Sequence, residues 1–126
     1  MNPTPYDLFL DDLRDPSYVR NEPGYGEVPI EVARTVDEAR RLYRERGRPR
    51  HVYFDHDLGV VNGRIEESVE WIDWLASLDD ENGEPLLPGA RPPTYSIHSD
   101  NPPGRRAIES RMGSWTRAYE ALNPQE

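Results

Sequence analysis

Three short apolar runs in this chain end alike. "YDLFL" (6–10) runs into Asp11-Asp12, "HVYF" (51–54) into Asp55-His56-Asp57, and "TYSI" (94–97) into His98-Ser99-Asp100-Asn101. Each run has the length and residue types of a buried strand. Charge is costly inside a core, so these endings belong at an edge. Segments of helical period separate the runs. Strands alternating with helices predict a parallel sheet with crossover helices, whose C-terminal strand ends share one ligand-binding edge.

The rest of the chain fits that frame. "PIEVAR" (29–34) reads as an edge strand, with proline tolerated at its first position. "TVDEARRLYRERG" (35–47) is a marked helix: Thr35 and Glu38 form a capping box, Val36, Ala39, Leu42 and Tyr43 form the apolar stripe, and Gly47 ends it. "RIEESVEWIDWLASL" (64–78) is expected to be a second helix, with Ile65, Val69, Ile72 and Ala76 on one face. Ile108, Met112, Trp115, Tyr119 and Leu122 outline the core stripe of a last helix, stopped by Asn123-Pro124. Residues 13–28 and 79–93, with their Pro, Gly, Asn and Asp, read as loops, as does the stretch around Gly59 and Gly63. Connection rules give a single α/β domain over residues 1–126, a shortened flavodoxin-like three-layer sandwich. Its mostly parallel four-stranded sheet has the order 2-1-3-4.

Composition removes whole classes of chemistry. There is no cysteine, hence no disulfide and no thiolate site. All 15 basic residues are arginine, which excludes Schiff-base chemistry and a P-loop lysine. Arginine or a metal ion must therefore handle any phosphate. The formal charge of −9 disfavours broad non-specific binding to DNA. No apolar run approaches a membrane span, and "MNPTPYD" lacks the marks of a signal peptide, so a cytoplasmic protein is expected.

The strand ends carry the functional reading. Carboxylates gathered at one edge need a partner for their charge, and a hard cation suits them. Mg²⁺, or Mn²⁺ in its place, takes oxygen ligands and commonly bridges carboxylates to a substrate phosphate. Asp11, Asp12 and Asp55 are the metal candidates. His98, facing such a pocket, would favour its charged form and suit a general acid. His56 falls on the opposite face if the pleat continues, and His51 sits at the far end of its strand; both read as structural. At the last helix, Ser99 or Asn101 can cap, and the free N–H groups with Arg105 or Arg106 can receive an anion. Arg14, just beyond the Asp-Asp pair, is a second phosphate-binding candidate, which makes Arg14, Ser99, Asn101 and Arg105 the substrate-binding set. Trp71, Trp74 and Trp115 read as core or interface, and "RRLYRERGRPR" as a solvated helix face.

The Asp-Asp pair after the first strand, with Asp55 43 positions beyond Asp12, resembles the acidic pocket of response-regulator receiver domains. More closely, "LFLDDLRDP", "VARTVDEA", "FDHDLG" and "IHSDNPPG" resemble the group described as cyclic-phosphate-processing receiver domains. That resemblance implies a receiver-like fold, a metal pocket of Asp11, Asp12 and Asp55, and action on a cyclic phosphate of a nucleotide or RNA end. It departs from ordinary receivers in lacking their strand-five lysine; His98 and Ser99 stand near the receiver's switching hydroxyl.

Two functions compete. One is a metal-dependent phosphoesterase with Asp55 and His98 as its catalytic residues. In a variant, Asp55 and Asp57 resemble the aspartate pair of haloacid-dehalogenase-type phosphatases, with Asp55 as nucleophile and Asp57 as acid. The other is a non-catalytic signalling or interaction module that keeps an acidic Mg²⁺-binding pocket.

Overall fold

The computed structural model describes residues 5–61, 63–76, 91–98 and 101–122. The described elements follow as β1 (Asp7–Leu10), β2 (Ile30–Ala33), α1 (Val36–Arg46), β3 (His51–Phe54), β4 (Asp57–Val61), β5 (Arg64–Glu67), α2 (Val69–Ala76), β6 (Thr94–Ile97) and α3 (Pro102–Leu122). A 3-10 turn, Pro16–Val19, lies between β1 and β2. Strands β2-β1-β3-β6 form one parallel sheet in that order, which is the expected 2-1-3-4 with β6 as the fourth strand.

Side chains alternate across the sheet with period two. Leu8, Leu10, Val52 and Phe54 share the main core with Val36 and Ala39 of α1, Trp71, Ile72 and Leu75 of α2, and Ile108, Met112 and Trp115 of α3. Phe9 and Tyr53 point the other way and pack with Val19, Tyr25, Ile30 and Val32. Among the described residues the third layer of the sandwich is the 13–28 segment, pinned by buried Val19 of the 3-10 turn.

Helix α1 begins as expected: Thr35 Oγ1 accepts the N–H of Glu38, while the Glu38 carboxylate returns to the N–H of Arg34. Gly47 ends it at φ +79°. The predicted helix 64–78 needs correction at its start. Arg64–Glu67 is β5, an antiparallel partner of β4, and α2 starts at Val69. Ile65 is thus not a core residue; it is 59% exposed opposite Val60. The Glu70 carboxylate explains the boundary. It accepts the N–H of Glu67 and pairs with Arg64, capping α2 from within and holding the hairpin to it. On α3, Ile108, Met112 and Trp115 are buried, but the expected stripe does not reach its end, since Leu122 is 61% exposed. The Asn123-Pro124 stop and most of the 79–93 loop lie outside the described residues.

Candidate functional site

The sheet's register builds the site. Leu10 is level with Phe54, and Phe54 with Ile97. The ladder continues one residue further: Asp55 N–H donates to Leu10 O at 3.0 Å, and His98 N–H to Phe54 O at 2.9 Å. Asp11, Asp55 and His98 thus form a row across β1, β3 and β6. Parity does the rest. Phe9 to Asp11, Tyr53 to Asp55 and Ser96 to His98 are each two residues, so all three face the side covered by the 13–28 segment.

Asp11 is fully buried and well satisfied. Its Oδ1 accepts the backbone N–H of Leu13 at 2.8 Å and of Arg14 at 2.9 Å. Its Oδ2 accepts His98 Nε2–H at 2.8 Å and Arg14 Nη1–H at 3.2 Å. Burial pushes the Asp11 carboxyl up. The backbone N–H groups of Arg14 and Leu13, then His98 and the Arg14 side chain, outweigh it and hold the carboxyl below its ordinary range. Asp55 has the opposite balance. Burial and the neighbouring Asp11 charge raise it, and His98, Arg14 and the His56 N–H only partly compensate. Its Oδ2 lies 3.7 Å from Arg14 Nη1.

Asp12 completes the group. Asp11, Asp12 and Asp55 each offer an oxygen within 4.8 Å of the others. The hairpin closes on Asp12 at Gly59, where the backbone has φ +87° and a Cβ would stand 3.0 Å from Asp12 Oδ2. The register shift between Asp57 and Val60 creates that approach. This donor set fits a hard divalent cation: three carboxylate oxygens, two of them on buried residues, and one carboxylate left short of compensating charge. Asp7, at the opposite end of β1, shows the contrast. It is equally buried, but Arg50 grips both its oxygens at 2.7 and 3.0 Å.

His98 lies flat on Phe9, with ring centroids 5.1 Å apart and planes 3° apart, and its side chain is 6% exposed. Nε2 carries the proton donated to Asp11. Nδ1 is buried with no hydrogen-bond partner among the described residues. Arg14 spans Asp11 and Asp55 while 34% exposed, and Arg34 braces its loop through the carbonyls of Asp11 and Arg14.

The other expected residues sit elsewhere. Asn101 Oδ1 caps α3 by accepting Gly104 N–H at 3.0 Å, with its amide directed at His56 and Asp57. Arg105 donates to Ile97 O at 2.8 Å, at the end of β6. Ser99 lies outside the described residues. His56 turns to the opposite face, held by Asp57 at 2.7 Å and Glu67 at 3.2 Å. Asp57, the acid of the dehalogenase-type variant, is thereby tied to His56. His51 bonds Thr94 and Ser96 at the far sheet end.

The sequence blocks that meet at this edge match a known family. The cyclic-phosphate processing receiver domain matches over residues 6–114. The chain belongs to that family. No curated protein matches the chain. Among solved structures, one described as the yeast Spc42 trimeric coiled coil, amino acids 181–211, fused to another structure is similar with a TM-score of 0.54 and 15% identity. The similarity covers 100% of this receiver domain and 88% of that chain, and it is a likeness of fold. Among the described residues of this receiver domain, no helix is long and apolar enough to cross a membrane.

Sequence reasoning missed Phe9, Tyr18, Gly59 and Gly104 as parts of the site and its supports. Phe9 was within reach, because it is two residues before Asp11 on the same face. The contact of Gly59 with Asp12 depends on a hairpin that the helical pattern of 64–78 concealed.

Proposed function

We propose that this receiver domain opens a cyclic phosphodiester by metal-dependent hydrolysis, releasing a phosphate monoester on a nucleotide or RNA end. The observation carrying this reading is the convergence of Asp11, Asp12 and Asp55 within 4.8 Å, with Arg14 and His98 both bonded to Asp11. Mg²⁺ or Mn²⁺ held by the three carboxylates would supply positive charge to a phosphoryl oxygen and orient water.

The chain's own residues supply the rest. Arg14 is a half-buried cation of the pocket, and its fork matches phosphate oxygens. Moving from Asp11 to the substrate, it would open one position on Asp11 Oδ2, which His98 still holds, as it neutralises the phosphate. His98 holds its proton at Nε2, beside Asp11, and would deliver it to the ring oxygen that leaves phosphorus. Water adds its oxygen to phosphorus and gives up one proton to solvent, the P–O bond of the ring breaks, and the freed alkoxide takes the His98 proton to become an alcohol, His98 regaining a proton from solvent. Phe9 keeps the imidazole in plane by stacking. Asp55, its carboxyl raised by burial, completes the pocket beside the scissile bond. We place this activity in the cytoplasm, in keeping with the cysteine-free composition.

The test is hydrolysis of nucleoside 2′,3′- and 3′,5′-cyclic phosphates by purified protein with Mn²⁺ or Mg²⁺. Metal-dependent monoester release, lost in Asp55→Asn and His98→Ala, supports the reading. No opening of either ring with either metal removes it in favour of a non-catalytic module.

A further inference from the structure

Tyr18 is an aromatic side chain held out to solvent beside the phosphate pocket. It is 54% exposed, although its neighbour Val19 is buried. Its backbone is fixed: Tyr18 N–H donates to Asp15 O at 2.9 Å, and Asp15 caps the turn by accepting Ser17 N–H. Its ring centroid lies 5.7 Å from that of His98. The Arg14 guanidinium carbon sits 4.7 Å from the Tyr18 centroid, and the same guanidinium reaches Asp11 and Asp55. One arginine thus joins the acidic pocket to the exposed ring. Arg14 and His98 hold part of the ring while more than half of the residue stays open to solvent, and a rigid aromatic platform beside a phosphate site is what a nucleobase stacks on.

We propose that Tyr18 is the base platform of this site, resting on the hydrolytic reading above, and that the preferred substrate is a nucleoside cyclic phosphate rather than a base-free one. The phosphate lies at Arg14 and His98, and the base stacks against the open side of the Tyr18 ring. Tyr18 is then a specificity-determining residue, acting on KM through the base.

The experiment compares adenosine 2′,3′-cyclic phosphate with glycerol 1,2-cyclic phosphate, which keeps the five-membered cyclic diester but has no base. Wild type, Tyr18→Ala, Tyr18→Phe and Tyr18→Trp are assayed with Mn²⁺. Wild type is expected to favour the nucleotide. Tyr18→Ala should raise KM for the nucleotide about tenfold more than KM for the glycerol substrate, the scale of one stacked base. The Phe and Trp variants should keep the preference. Equal use of both substrates by wild type overturns the proposal and leaves the hydrolytic reading standing. So does an equal loss on both in Tyr18→Ala, which marks a ring that merely supports His98. No turnover of either substrate overturns the proposal, and the assays above with 3′,5′-cyclic phosphates and with Mg²⁺ then decide the hydrolytic reading separately.

Discussion

His98 Nε2 donates to Asp11 Oδ2 at 2.8 Å, joining residues 87 positions apart across the top of β3. Both side chains are almost completely buried, at 6% and 1% exposure. Asp11 is a buried carboxylate kept ionised by its donors, so losing His98 leaves part of its charge unmatched. We expect His98→Ala to lower stability by about 1.5–3 kcal/mol, the range for a hydrogen bond to a charged group. Cyclic phosphodiester hydrolysis should fall by about 10²-fold or more. Urea unfolding and steady-state rates on one preparation check both; unchanged stability would show that the bond contributes little.

Asp55 gives the opposite sign. Burial, then the Asp11 charge, raises its carboxyl above the ordinary value, so the folded chain binds this proton more tightly than the unfolded one. The stabilisation from that proton is complete below the unfolded value and is lost as pH rises through the folded value. Above the folded value the ionised Asp55 therefore destabilises the metal-free fold. Asp55→Asn should raise the Tm in EDTA at pH 7, with the gain shrinking toward pH 3, while abolishing activity. Thermal melts across that range decide it.

Tyr6 contributes to the alkaline limit, alongside Tyr43, Tyr53 and Tyr95, whose hydroxyls burial also pushes up. Burial pushes the Tyr6 hydroxyl up to about 12, against the opposing pull of Arg46, and the hydroxyl donates to Gly47 O at 2.7 Å. Stability from this proton is full below the ordinary value of 10.0 and is lost as pH rises through about 12. Tyr6→Phe should cost about 1 kcal/mol at neutral pH and flatten the stability loss above pH 10. Urea midpoints between pH 8 and 12 provide the comparison.

Gly104 touches the ring of His56. A Cβ there would stand 2.3 Å from His56 Cγ, the rigid base of the imidazole and not a mobile tip. Gly104→Ala should destabilise by about 1–3 kcal/mol through overpacking. The penalty should shrink in a His56→Ala background. A double-mutant cycle with additive losses would mean that the helix start moves aside instead.

The sheet order and the facing of the site were legible because both follow from simple periodicities. Period two places Asp11, Asp55 and His98 on one side and His56 on the other, as the pleat demands. The hairpin β4–β5 was not legible. Ile65, Val69 and Ile72 happen to fall at helical spacing, and only pairing with Asp57–Val61 reveals a strand. Tyr18 was hidden for a related reason: it lies in a segment rich in loop residues, and its contact with His98 comes from Val19 anchoring that segment on Phe9 and Tyr53. Arg105 shows local competition, since a strand-end carbonyl takes the fork that an anion could have used.

Asp11, Asp12 and Asp55 are expected to hold one divalent cation together. Titration of the protein with Mn²⁺, followed by the loss of the free-ion electron spin resonance signal, measures this. One site per chain is expected, weakened at least tenfold by Asp11→Asn, Asp12→Asn or Asp55→Asn alone. Saturable binding that all three variants retain, or no binding by wild type at millimolar Mn²⁺, would contradict it.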